Sequence, residues 1–410
     1  MNNQNAEHFI GLDIGTSAVR CVVGMYDPNG SSMPSIIGHG QAANQGMRRG
    51  AVVHVDDVAE AIIKAVTEAE RISGMQIKHA TVNVNGSHVS GLNSEGVIAI
   101  SAADREITPE DRMRVEEAAT IVSLPPNREI VQFFAKNYSL DGQKNIKDPV
   151  GMHGVRLEVD AHIVTAASPN LRNLDMALEK AEVAPTHHTV SGLAAAESVL
   201  TRQQREAGTA LIDIGAGTTN LIVFEDGEVQ HVSVLPIGGQ HITNDLAIGL
   251  KTDIDVAEQV KVQHADVHSE PKKTNAMVKV GNKAHNFKFE EISMIVEARM
   301  DELFEYVDKE LHKIKRSRKL PGGIVITGGT AKLPGIDEFA REKLQLPARI
   351  GKLHNVGGLV DTVEDPAFTT VVGLMLLDML LLPALPPVHG GAGGGAKAFV
   401  GGLFGRFRSK

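Results

Sequence analysis

Two short stretches of this chain carry the residue types that hold phosphate. Asp13-Ile-Gly15-Thr16-Ser17 follows an apolar run that begins at Phe9, and Asp213-Ile-Gly215-Ala-Gly217-Thr218-Thr219 follows one that begins at Ala210, two hundred positions later. Small residues in a tight turn aim several backbone N–H groups and hydroxyls at one point, and an anionic phosphate is the natural occupant of such a nest. The acids at the head of the turns, Asp13 and Asp213, would then face the phosphates across Mg2+, an ion that keeps most of its waters and needs few carboxylates. Neither acid has to touch the ion directly. A single turn of this kind is equally well explained as a capped β-turn. Two copies, with a third Gly328-Gly329-Thr330 turn after another apolar run at 322–327, favour a nucleotide. The chain has no G-x-x-x-x-G-K-[ST] loop, and Gly215-Ala-Gly217 lacks the third glycine of a dinucleotide fingerprint, so a P-loop enzyme and a dehydrogenase are excluded.

The elements that must position these turns follow from the flanking patterns. Each turn lies between two apolar runs, with Val19 to Met25 after the first and Leu221 to Phe224 after the second, which predicts a strand–turn–strand hairpin in each of two homologous halves. Helical periodicity runs over Val58 to Ser73, Asp111 to Val122, Asn170 to Ala181, Asp255 to Lys261 and Glu290 to Lys315, and a further helix should start near Ile336. Strands alternating with helices predict an α/β fold. The longest apolar run, Val371 to Leu382, is too short to span a bilayer and carries Asp378, so it reads as a buried helix.

At 410 residues the chain should divide into two or more packed units. Its net charge of −9 gives it no overall attraction to nucleic acid, and a concentrated basic patch occurs only at the extreme C-terminus. The segment Arg316-Ser-Arg318-Lys319 reads as a solvated helix end. Cys21 is the sole cysteine and sits in an apolar run, as a structural thiol on a strand does. Met1 to His8 lacks the basic and apolar regions of a signal peptide, which points to the cytoplasm.

Residues 383–396 have the Pro and Gly content of a flexible linker. Beyond them, Phe399, Val400, Leu403, Phe404 and Phe407 fall within an arc of about 140° on a helix, bordered by Lys397, Arg406 and Arg408. That is the composition of an interfacial helix on anionic lipid. Gly401, Gly402 and Gly405 each cost a helix ~1 kcal/mol relative to Ala, so the segment should fold only on the lipid surface.

In type and order, the three turns resemble the phosphate-1, phosphate-2 and adenosine motifs of the actin/Hsp70/sugar-kinase superfamily. Four further stretches resemble one of its families, the FtsA proteins of bacterial cell division: Gly46-Met-Arg-Arg-Gly50-Ala-Val-Val-His-Val-Asp56, Lys147-Asp-Pro-Val-Gly151-Met-His-Gly154-Val-Arg156-Leu, Val190-Ser-Gly-Leu193-Ala-Ala-Ala-Glu197 and Asp255-Val-Ala-Glu258-Gln-Val-Lys261. The resemblance covers nearly the whole chain. It implies an actin-like two-lobed fold of duplicated ATPase-type subdomains: one from 1–84 with 166–205, an insert at 85–165, one from 206–242 with 303–382, and a fourth at 243–302. The linker and the amphipathic helix at 397–410 follow.

By the same resemblance, ATP is held with Gly15, Thr16 and Ser17 on one side of its phosphates and Gly215, Gly217, Thr218 and Thr219 on the other. Gly239 joins this set, Glu258 and Lys261 flank the ribose and adenine, and Gly328, Gly329 and Thr330 approach the adenosine from the opposite side. Taken alone, Glu258 and Lys261 read more simply as a solvated salt bridge. Where several polymerising relatives place a Gln or Glu to orient water, this chain aligns Ser191. Loss of that help, typically worth ~10²–10⁴ in rate, implies slow or negligible hydrolysis, with Asp213 a weak substitute base. Ser191 has a simpler reading as the cap of a helix starting at Gly192 or Leu193.

The implied role is structural: a filament at the division site on the cytoplasmic face of the inner membrane, binding FtsZ and anionic lipid, and meeting later division proteins of the septum through the insert. The alternatives are a PilM-like adaptor of type IV pilus assembly, a sugar kinase and a chaperone-type ATPase.

Overall fold

The computed structural model describes residues 7–26, 33–101, 105–267, 275–281 and 283–381. The linker and amphipathic tail expected at 383–410 lie outside the described residues. Each half is built on a hairpin with a Gly-rich tip. In the first, Glu7–Ile14 pairs antiparallel with Ala18–Tyr26, and Ile14 stands opposite Val19. In the second, Thr209–Ile214 pairs antiparallel with Thr219–Glu225, and Ile214 stands opposite Thr219. The two tips close identically, Gly15 N–H donating to Ala18 O at 3.0 Å and Gly215 N–H to Thr218 O at 2.9 Å.

Around the first hairpin grows a six-stranded sheet, ordered Ala184–Val190, His79–Val84, Glu7–Ile14, Ala18–Tyr26, Ser35–Ala43, Gly357–Gly358. The second centres a five-stranded sheet, ordered Glu228–Leu235, Thr219–Glu225, Thr209–Ile214, Gly323–Thr327, Ala348–Ile350. Both hairpins feed a parallel neighbour on the side away from their partner strand, His79–Val84 in one lobe and Gly323–Thr327 in the other. A four-stranded antiparallel sheet of Ser90–Ala99, Arg156–Ala167, Arg128–Leu140 and Gln143–Ile146 forms the insert, capped by the helix Pro109–Thr120. Helices Gly239–Gly249 and Ile254–His264 and the hairpin Asn275–Val280/Lys283–Lys288 make a smaller layer against the long helix Phe289–Lys313.

The expected helices are present with slightly longer or shifted ends: Val55–Ser73, Pro109–Thr120, Ser168–Lys180, Ile254–His264, Phe289–Lys313 and Ile336–Leu344. The terminal apolar run is the helix Thr369–Leu381, buried against the first sheet. Close packing explains its composition. A Cβ on Gly373 would lie 1.7 Å from Ala194 O, so only glycine permits this approach to the helix Ser191–Val199. Asp378, 2% exposed, accepts Ile10 N–H at 3.0 Å and the Thr81 hydroxyl at 2.7 Å. Its burial is therefore satisfied by hydrogen bonds, although it still pushes the carboxyl up to about 6.

Two local expectations are corrected. Ser191 is the first residue of its helix rather than the cap, because Val190 holds the extended cap conformation. The Ser191 hydroxyl instead accepts a hydrogen bond from Asn83 Nδ2 at 3.1 Å. Arg316 is not a solvated helix end: it donates to Glu225 Oε2 through Nε at 2.9 Å and Nη2 at 2.5 Å, tying the chain after the long helix to the second sheet.

Candidate functional site: a cleft closed by three glycine turns

Both hairpin tips point into the space between the lobes and nearly touch there. A Cβ on Gly217 would sit 2.8 Å from Thr16 Oγ1, so side-chain-free backbone at this position lets the two turns face each other. The third turn closes from the same side. Gly328 has φ +88, and a Cβ there would meet Asp213 Oδ1 at 2.4 Å. One carbonyl joins the set: Gly215 O accepts from Gly239 N at 2.9 Å and from Thr330 Oγ1 at 3.1 Å. A Cβ on Gly239 would in turn lie 2.5 Å from Thr330 Oγ1.

Each lip has its own support. On the first, Thr16 Oγ1 accepts Gly50 N–H at 3.1 Å, Asn44 Nδ2 donates to Gly15 O at 2.8 Å, and Asn44 N–H donates to Ser17 O at 3.0 Å, leaving Ser17 exposed. On the second, Thr218 Oγ1 accepts from Asn85 Nδ2 at 3.1 Å, while Thr219 is fully buried and donates its hydroxyl to Ile237 O at 2.8 Å. Gly329 opens the short helical turn Gly329–Lys332. Glu258 and Lys261 pair at 2.7 Å on one helix face, and Thr243 donates to Glu258 Oε2 at 2.5 Å. Lys261 also reaches Gly239 O at 3.3 Å, so the pair abuts the same helix start as the turns.

Asp13 and Asp213 are both buried. Burial pushes the Asp13 carboxyl up to about 7; Arg20, at 4.0 Å, opposes this, and the charge of Asp213 adds to it. Asp213 is pushed up to about 6 by burial, and hydrogen bonds from Asn220 Nδ2 at 3.1 Å and Thr370 Oγ1 at 3.4 Å hold it down. Two facing acids made costly to ionise by burial suit a divalent cation, whose charge reverses that cost. The glycine cradle and these acids thus fit a phosphate chain with Mg2+.

Spacing within the motifs did not reveal Arg20, Asn83, Asn85, Asn220, Thr370 or the Arg49-Gly50 bend. Arg49 has φ 49, its Cα lies 3.2 Å from a Cβ built on Gly217, and its charge is felt at His241, so it stands on the lip between both tips. The stretch from Gly46 to Asp56 carries the available sequence signal for this bend.

The profile described as cell division protein FtsA matches residues 210–373, and that of the SHS2 domain inserted in FtsA matches residues 86–165. The chain is 36% identical over 377 residues to the cell division protein FtsA of Pseudomonas aeruginosa, covering 91% of this chain and 89% of that one. Among solved structures it resembles a chain of the PilM–PilN type IV pilus biogenesis complex, with TM-score 0.65, 18% identity and coverage of 90% of this chain and 98% of that one. It also resembles MreB5 of Spiroplasma citri bound to ADP, with TM-score 0.52, 15% identity and coverage of 90% and 95%. At those identities the likenesses establish an actin-like fold. The sequence match establishes more: the chain belongs to the FtsA family of cell division proteins.

Proposed function

We propose that this protein binds ATP with Mg2+ between the two hairpin tips, assembles into filaments and holds the FtsZ ring to the cytoplasmic face of the inner membrane at the division site. The convergence of Gly217 on Thr16 and of Gly239 on Thr330 supports the nucleotide reading most directly. The relative of the same fold bound to ADP is consistent with it. When bound, Mg2+ supplies positive charge against the phosphates. The chain's own part is to hold the terminal phosphates with the backbone of Gly15 to Ser17 and Gly215 to Thr218, and to place Asp13 and Asp213 where the cation would favour their ionised forms.

Turnover is slow in this reading. Ser191, 1% exposed, is engaged by Asn83, whose Oδ1 also accepts Ile14 N–H at 2.7 Å, so the position offers packing and no base. Attachment to lipid runs through Phe399, Val400, Leu403, Phe404 and Phe407 with Arg406 and Arg408. Immersing those five side chains offers on the order of 8 kcal/mol before ordering costs, a modest affinity that alignment in a filament multiplies. Among the described residues no helix is long and apolar enough to cross a membrane. Later division proteins are met through the insert.

Co-sedimentation with anionic liposomes tests the reading. The full-length chain should pellet, more so with Mg-ATP, and a chain ending at Pro387 should not. Calorimetry should show Mg-ATP binding to both. A full-length chain that stays in solution with and without nucleotide would overturn the membrane reading.

A further inference from the structure

Away from the nucleotide cleft, the insert and the second lobe meet along a hydrogen-bonded seam. His162 on the insert is 1% exposed, and its Nε2 accepts Val232 N–H of the second sheet at 3.0 Å. That bond needs a neutral ring, with Nδ1–H donating to Asn93 Oδ1 at 2.9 Å. Beside His162, His231 contacts Glu310 Oε2 of the long helix at 3.1 Å.

Next to this seam lies a cavity of about 230 Å3, room for several waters at roughly 30 Å3 each. Its lining holds four cations, Lys136, Lys313, Lys315 and Arg316, against one carboxylate, Glu225. This is a local excess of positive charge in a chain whose net charge is −9. A β-bulge on one wall and a helix end on the other place these groups. Opposite Arg156–Ala167, the register steps from Asn137 to Ala135, so Lys136 is the extra residue of a β-bulge. Bulges of this kind re-aim a side chain. Lys315, on the other wall, is the left-handed residue, at φ 61, that ends the long helix, its N–H donating to His312 O at 2.9 Å and the Arg316 N–H to Leu311 O at 2.8 Å.

The cations are unevenly satisfied. Arg316 is engaged by Glu225, and Lys313 pairs with Glu310 at 2.5 Å. Lys136 is half-buried, and among the described residues neither it nor Lys315 has a hydrogen-bonded counter-ion. Burial lowers Lys136 from the ordinary lysine range, with Asp160 opposing and Arg316 adding to the shift.

We propose that this cavity binds a small polyphosphate anion, bridged by Lys136 of the insert and Lys315 and Arg316 of the second lobe, and that the bound anion clamps the insert to that lobe. With Arg316 and Lys313 already paired, a single carboxylate would answer only one of Lys136 and Lys315, whereas a diphosphate group carries several negative charges in a comparable volume. The site sets how firmly the insert is held, independently of the nucleotide cleft.

Inorganic pyrophosphate is the probe. Titrated into the full chain already saturated with Mg-ATP, it should shift the NMR signals of the His162 and His231 rings saturably. The apparent affinity should be about tenfold weaker in Lys136→Gln and in Lys315→Gln, each losing one charge-assisted contact. Thermal unfolding of the two variants without pyrophosphate checks that they fold, and Lys136→Arg should retain part of the response. The proposal is overturned if millimolar pyrophosphate leaves both rings unmoved, or if both Gln variants respond as the parent does. The second result would place the anion elsewhere, the nucleotide cleft included.

Discussion

The two Gly-tipped hairpins share a backbone and differ in what stands opposite the acid. Asp13 faces Arg20 across its ladder, and Asp213 faces Asn220 at the matching register position. The first acid is steadied by a cation 4.0 Å away that itself lies 5.3 Å from the centre of the Phe368 ring. The second is steadied chiefly by neutral donors, Asn220 and Thr370, with the charge of Arg20 a lesser influence. Duplication therefore preserves the turn and the burial that raises both carboxyls, to about 7 in one copy and about 6 in the other, while the side chains that oppose the rise differ. Phe368 and Thr370 both belong to the start of the last helical segment, so one stretch of chain reads both acids.

The largest effect should come from making the two tips collide. Gly217→Val places a branched side chain where even a Cβ is 2.8 Å from Thr16 Oγ1, and should weaken Mg-ATP binding about 10²-fold by calorimetry while the hairpins stay folded. Next in size is Arg20→Met. Without the cation, Asp13 rises further, and the ionised fraction available to Mg2+ at neutral pH should fall about tenfold. The same loss of Mg-ATP affinity in Asn220→Leu would break the comparison, since it would show that a neutral donor matters as much as the charge.

Proton linkage sharpens it. Both acids have folded values above that of an unfolded Asp, about 3.8, so the native chain holds protons that the unfolded chain has already released. Their contribution is fully present below about pH 4 and is lost as pH rises through about 6 and 7. Thermal unfolding without nucleotide should show stability declining over that window by a few kcal/mol, and Asp13→Asn should remove the upper part of the decline. Mg-ATP bound as proposed would select the ionised pair, so its stabilisation should grow over the same window.

Much of this fold was legible because its signals are local. An apolar run, an acid and a cluster of small residues define each hairpin, and repetition turned a weak signal into a specific one. The buried terminal helix was legible too, since a twelve-residue apolar run with one Asp has few other homes. What escaped is what comes from far along the chain. Thr370 lies 157 positions from the acid it donates to, and Asn85 lies 133 from Thr218. No spacing rule connects such pairs. Ser191 misled for a related reason: a Ser before a helix is a sound cap signal, yet Asn83 on a neighbouring strand claims its hydroxyl.

Thr370→Val gives the smallest change and the most discriminating one. Its bond to Asp213 is long, at 3.4 Å, and Asn220 still donates to the same oxygen, so Mg-ATP affinity should fall by no more than about threefold. The fold should hold, since valine matches threonine in shape and Thr369 still engages Thr327 at 2.6 Å. Yet Thr370 bonds the acid from the helix Thr369–Leu381, which lies just before the stretch of sequence carrying the proposed lipid anchor. If that helix merely packs, liposome co-sedimentation of the variant should keep its full response to Mg-ATP once nucleotide is saturating. If the helix carries the state of the second acid toward the tail, saturating Mg-ATP should no longer strengthen co-sedimentation. Arg20→Met, which removes the ion pair of the first acid and reaches the second only through its charge, should keep the response; a loss in both variants would mean that the two hairpins act as one unit.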